Sequence, residues 1–145
     1  MPKSINILIK DVRKLHGHIG PYVVIGLKMG EAAKKALQVS DKERTILRAN
    51  AQVPLSPPFS CLLDGIQVST TCTVGNQRLT IQNSNAISVT FSRTGTAKTA
   101  RITLKPELTE TLRQGLAENS LTEEFAMTIA STPENQLLNI TLEKT

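Results

Sequence analysis

The sequence predicts an α+β fold with a mainly antiparallel sheet in a single domain. Three observations carry this reading. Long segments near both ends of the chain repeat apolar residues at helical spacing. Three strand-like runs separated by short turns follow one another between residues 78 and 104. Helices and strands come in blocks rather than in strict alternation, which points away from a wholly parallel α/β sheet. With 145 residues the chain has the size of one ordinary domain. Hydrophobic residues make up 39% but aromatic ones only 3%. The core is therefore built mostly from Ile, Leu, Val and Ala.

Residues 4–15 carry Ile5, Leu8, Ile9, Val12 and Leu15 at helical spacing. A clear helical pattern runs from Pro21 to about Val39. Pro21 suits a first helical position, where its missing N–H is not needed. Lys28, Glu31, Lys34 and Lys35 form one side of this helix, and Val23, Ile25, Met29, Ala33 and Leu37 the other. Gly26 and Gly30 share the apolar side. Each costs about 1 kcal/mol against Ala in a helix. They are either compensated by another backbone packing very close or are simply tolerated weak positions. After a polar turn at 39–43, residues 45–53 alternate as a strand, PLSPP breaks the chain, and FSCLLDGIQVST, 59–70, forms a helix. Strand-like runs at 78–82, 86–92 and 99–104 follow. A helix begins at Pro106, with Glu107 in its favourable first turn. Another spans 121 to about 131, and LLNITL, 137–142, forms a last strand.

The net charge is +5 and the pI about 9.5. Even so, Lys and Arg are dispersed and aromatic residues are too few for a base-stacking platform, which argues against nucleic acid as a partner. No segment approaches the ~20 apolar residues of a membrane span, and the first ten residues contain no signal-peptide core. The chain reads as a cytoplasmic protein, with Cys61 and Cys72 as reduced thiols rather than a disulfide.

Residues 49–77 contain no Lys or Arg, and Asp64 is their only charge. In a chain that is 20% charged, such a gap marks a buried segment, a cleft lining or an interface. On a helix at ~100° per residue, Phe59, Leu62, Leu63 and Ile66 make the core face. Cys61, Asp64 and Val68 point the other way, with Gln67 at the edge and Gly65 opening space beside Cys61. A thiol, a carboxylate and an amide on the face away from the core fit a lined pocket. A dimer-interface helix is the alternative.

HGHIGP, residues 16–21, holds both histidines of the chain. They precede a helix start, whose N–H dipoles disfavour imidazolium and leave the neutral ring that a metal ligand or general base requires. Two imidazoles and two thiols are donor types that zinc and similar transition metals favour. The spacings themselves are not those of a regular zinc motif. One ring hydrogen-bonded in the core with the other in solvent, and Cys72 as a small core hydrophobe, remain the plain alternatives.

HGHIGPYVVIGLKMG, followed by CLLDGIQVSTTCTVGN and ISVTFSRTGTAKTARI, resembles the family of the formylmethanofuran dehydrogenase protein FmdE. Members typically show an HGHxCPG-like segment running into a helix, then a C-x2-D-[AG]-IQ…GCT-x-G segment. The resemblance covers about residues 10–110, and its second segment is the more specific. Two departures stand out: Gly20 replaces the family's usual cysteine and Tyr22 the following glycine. No cysteine follows Cys72, so the C-terminal zinc ribbon of many relatives is absent, and 106–145 reads as a different helical and strand extension. The resemblance implies an α+β core, a homodimer, and a cleft built from the HGH segment and the Cys/Asp/Gln helix that can hold a metal ion.

Three functions stay open on these residues. The first is a metal-site protein accessory to molybdenum or tungsten enzymes, within a larger redox-enzyme complex. His16, His18, Cys61 and Cys72 would ligate zinc or another transition metal, and Asp64 and Gln67 would orient them or hold a water. The second is a metal-free enzyme with Cys61 as nucleophile, His18 or His16 as base, and Asp64 as the orienting group. The third is a structural or binding component of an assembly that uses the charge-free stretch as its contact surface. Under the first two, the imidazoles should face Cys61, Asp64 and Cys72 across one cleft, which requires the histidine loop and the cysteine helix to meet.

Overall fold

The computed structural model describes residues 4–144. Helix α1 runs Ile5–His16. Its Ser4 cap accepts a hydrogen bond from the Ile7 amide, and it ends at Gly17, φ 90°, whose N–H donates to the Arg13 carbonyl. A left-handed residue at this position is the usual reason for a glycine stop. Helix α2 is Pro21–Ala36, α3 is Leu62–Thr70, α4 is Pro106–Ala117 and α5 is Glu123–Ser131. Strands β1 Leu47–Val53, β2 Leu79–Asn83, β3 Ser88–Arg93, β4 Lys98–Leu104 and β5 Leu138–Lys144 form one sheet in the order β2-β1-β3-β4-β5.

All neighbouring pairs are antiparallel except β1 and β2. The physical reason lies in the connection: α3 carries the chain from the end of β1 back to its start, so β2 returns parallel to β1, as a helical crossover requires. The three runs between 78 and 104 are thus not a simple meander, because β1 lies between β2 and β3. Along β1 the side chains alternate, with Leu47, Ala49, Ala51 and Val53 buried and Arg48, Asn50 and Gln52 exposed. The buried face enters one core with α2 and α3. Residues 41–46, whose last two were expected to open the strand, form a short 3-10 helix instead. The 59–70 helix likewise opens as a 3-10 turn at Phe59–Cys61.

Helix α2 is the centre of the fold. Pro21 to Leu27 are all buried, as are Met29, Gly30 and residues 32–34. The solvent-facing side expected from its charges is reduced, because α3, α5 and the sheet surround it. Lys34 is only 5% exposed and is neutralised by Glu31 and by Asp41, whose carboxylate lies 2.9 Å from Nζ. Buried lysines require such pairing.

Of the two helix glycines, Gly26 is compensated as the close-packing reading expects, whereas Gly30 meets the Ser69 and Thr70 side chains rather than another backbone. A Cβ on Gly26 would overlap the Leu62 carbonyl oxygen, with the Gly65 Cα at 3.0 Å. A Cβ on Gly65 would in turn overlap the Val23 carbonyl and stand 2.6 Å from the Leu27 nitrogen. Gly65 therefore does not open space beside Cys61. It lets α2 and α3 touch backbone to backbone, which fixes where the other side of α3 points.

Candidate functional site

Helix α1 delivers His16 as its last residue, and the 17–20 loop carries His18 to the start of α2. Helix α3 is held against α2 by the Gly26–Gly65 contact, and its outward residues face this loop. The two chain segments meet: the His16 Nδ1 lies 2.6 Å from the Asp64 carboxylate. Asp64 also accepts from the Gln67 amide at 3.2 Å, and the Gln67 carbonyl oxygen accepts from the Val74 backbone N–H at 3.1 Å. The chain Val74–Gln67–Asp64–His16 thus locks one ring against one carboxylate.

The consequence for His16 is chemical. With Nδ1 as the donor to Asp64, the neutral ring presents Nε2 as an acceptor. That Nε2 is buried and has no hydrogen-bond partner among the described residues, and the whole side chain is only 12% exposed. A buried ring nitrogen without a partner is uncommon and needs an explanation. The ring lies 4.6 Å, centroid to centroid, from the His18 imidazole, which is exposed.

A hollow of about 340 Å³ opens at this point, with His16, His18, Gly20, Tyr22 and Cys61 in its wall. Glu123, at the start of α5, completes the rim and is paired with Arg13 at 3.2 Å. Burial pushes the Cys61 thiol above its ordinary value, and the nearby Asp64 carboxylate adds to the rise. Burial also raises the Tyr22 hydroxyl.

Most of the residues singled out from the sequence converge here. His16, His18 and Cys61 share the hollow, and Asp64 and Gln67 stand behind His16. Cys72 does not join them. It is fully buried under the sheet, where its Sγ donates to the Leu47 carbonyl at 3.2 Å, and burial raises its thiol too. This is the small-core-residue reading of Cys72. The four-donor set is accordingly not assembled: among the described residues no group of three or more His, Cys, Asp or Glu side chains is placed to hold a metal ion. The helix-end argument also changes. His16 belongs to the C-terminal turn of α1, the pole opposite to the α2 start that was expected to act on it, and it is the Asp64 carboxylate that engages its Nδ1. Tyr22 and Glu123 are wall residues that sequence reasoning misses. Tyr22 reads as part of a helix, and nothing local connects Glu123 to a loop a hundred residues earlier.

Comparison with known proteins agrees with these motifs. The family model described as FmdE, molybdenum formylmethanofuran dehydrogenase operon, matches residues 15–144. The chain belongs to the FmdE family. The match extends beyond the motif-bearing region and includes α4, α5 and β5. The FmdE fold is seen again in the crystal structure of a tungsten formylmethanofuran dehydrogenase FmdE-like protein from Syntrophus aciditrophicus. That structure is 23% identical with a TM-score of 0.74, and the match covers 99% of this chain and 73% of that one. A curated relative, a probable S-adenosyl-L-methionine-binding protein of Archaeoglobus fulgidus, is 29% identical over 100 residues, which is 69% of this chain. The matched part is 27% of that relative's length. No described helix of this FmdE-family chain is long and apolar enough to cross a membrane.

Proposed function

We propose that the His16–Cys61 hollow is the working site of this FmdE-family protein and that it binds a transition metal ion, zinc being one candidate. The observation that carries the reading is the buried, unpartnered Nε2 of His16, aimed by Asp64. A carboxylate behind an imidazole is how proteins fix the tautomer and orientation of a metal-binding histidine. His18 and Cys61 are the further donors of the wall, and their N and S atoms suit zinc or a similar ion. Side-chain rotation has to complete the set, since no three donors are gathered as placed among the described residues. A bound ion would supply Lewis acidity. The protein's own part is to engage Nδ1 with Asp64, to keep Nε2 buried, and to anchor Asp64 through Gln67.

On this reading the protein is an accessory to a molybdenum- or tungsten-dependent formylmethanofuran dehydrogenase-type enzyme, as a cytoplasmic homodimer or within the larger complex. The family description and the likeness to the Syntrophus protein support that role. The S-adenosyl-L-methionine binding named for the Archaeoglobus protein is not carried over, because most of that protein lies outside the match.

Metal analysis of the untagged protein tests the proposal. Stoichiometric metal is expected, lost in His16→Ala and weakened about 10–100-fold in Asp64→Asn. Protein that neither retains nor takes up metal overturns it. A second reading has its own support, since Cys61 shares the hollow with both histidines: after a side-chain rotation a histidine would accept the Cys61 proton and the thiolate would act as nucleophile. Metal-free protein whose Cys61 alkylation slows in His16→Ala favours that reading. Metal-free protein with unaffected alkylation leaves a non-catalytic binding protein.

A further inference from the structure

A second cavity, of about 510 Å³, adjoins the histidine hollow and belongs to none of the chemistry above. Tyr22 is in the wall of both. Its ring packs edge-on against Phe59, centroids 5.4 Å apart, and the two rings form the partition side of the second cavity. Ile87, Leu104, Leu112 and Leu116 continue an apolar wall. Among the described residues, two guanidinium groups, Arg101 and Arg113, are the only charges in its lining, and no carboxylate lines it.

The two arginines are differently committed. Arg113 is engaged by Glu110, to which its Nε donates at 3.0 Å. Arg101 donates only through Nε, to the Ser88 hydroxyl at 3.2 Å. Its two terminal nitrogens make no hydrogen bond among the described residues, so the planar edge that binds a carboxylate is open. The Tyr22 hydroxyl likewise has no partner among the described residues. The volume is within the range of small-ligand sites, which combine apolar walls with a few polar groups that set orientation.

We propose that this cavity binds a small organic carboxylate with an apolar body: the hydrocarbon or aryl part lies against Tyr22, Phe59 and Leu112, and the carboxylate on Arg101. The body of such a ligand would touch Tyr22, which also lines the histidine hollow. Binding here does not depend on the metal reading of that hollow; only delivery of the ligand to His16 and Cys61 does.

Calorimetric titration of the full chain with 3-phenylpropanoate and with its uncharged counterpart 3-phenylpropan-1-ol tests this. The acid is expected to bind and the alcohol to bind at least about tenfold more weakly, as for loss of a charge-assisted hydrogen bond. Arg101→Gln should cost the acid the same factor and leave the alcohol unchanged. Arg113→Gln should do less, because Glu110 already neutralises it. Leu116→Gln, at a half-exposed wall position, should weaken both probes without risk to the core. His16→Ala should leave acid binding intact, which separates failure of this proposal from failure of the metal reading. Equal binding of acid and alcohol, an inert Arg101→Gln, or no binding of either probe overturns it. So does a dimer in sedimentation that Leu116→Arg dissociates, since a second copy would then occupy the cavity.

Discussion

Gly26→Ala is the most informative single test of how this fold builds its site. The added methyl has no place to go: it would overlap the Leu62 carbonyl oxygen and crowd the Gly65 Cα. Both obstacles are backbone, so no rotamer change relieves them, and α2 and α3 must separate. Overpacking of this kind costs about 1–3 kcal/mol, with rigid surroundings at the upper end. Replacing a helical Gly by Ala returns about 1 kcal/mol of helix propensity. The net expectation is a loss of about 2 kcal/mol, or roughly 4–8 °C in Tm for a chain of this size. Gly115→Ala in α4 is the control, because its close neighbours are the movable ends of the Leu121 and Ser120 side chains; it should stay near wild type. Thermal unfolding followed by circular dichroism reads both. Because α3 also carries Asp64 and is entered through Cys61, Gly26→Ala should weaken any metal retained by the protein, while Gly115→Ala should not. A Gly26→Ala protein that melts at or above the wild-type temperature refutes the claim that direct backbone contact positions α3.

The thiols should differ sharply in reactivity. Cys61, half-buried in the hollow wall, should react with a disulfide reagent in the native protein, and Cys72 only after unfolding; a Cys61→Ser protein that still reacts quickly would contradict this. Native stability should fall at alkaline pH. Both thiols have folded values raised above the ordinary 9.0, so their contribution is full below about pH 9 and is lost as pH climbs through the folded values. Tyr22, raised from 10.0, extends the decline further. Denaturant titrations from about pH 7.5 to about pH 10.5 check this, and Cys72→Ala should flatten the first part of the fall. Gly20→Cys should tighten metal binding, because a Cβ there meets nothing within 4 Å and the residue already lines the hollow. Unchanged affinity in competition with a chelator would count against the metal reading.

Much of the candidate site is legible in the amino-acid sequence. The run 49–77, with Asp64 as its only charge, and the angular positions of Cys61, Asp64 and Gln67 on one helix mark a lined surface, and the HGH segment supplies the second half. Helical periodicity is a local property, so it reaches the relative directions of those side chains. Cys72 escapes such reasoning because its environment depends on a contact with Leu47, twenty-five residues away, about which local pattern is silent. The electrostatic surroundings of His16 escape it for a smaller reason: α1 runs on through His16 to the Gly17 stop, so the ring belongs to the helix before the loop rather than to the one after it.

By itself the sequence determined the succession of helices and strands, the apolar composition of the core, and the two segments rich in polar donor side chains, because each follows from interactions within a few residues. Only the tertiary structure decided the strand order with its parallel β1–β2 pair, the close approach of α2 to α3, and the placement of His16, His18 and Cys61 around one hollow with Cys72 in the core. Those depend on which surfaces meet across long stretches of chain, where the gain from packing and from pairing buried polar groups outweighs any local preference.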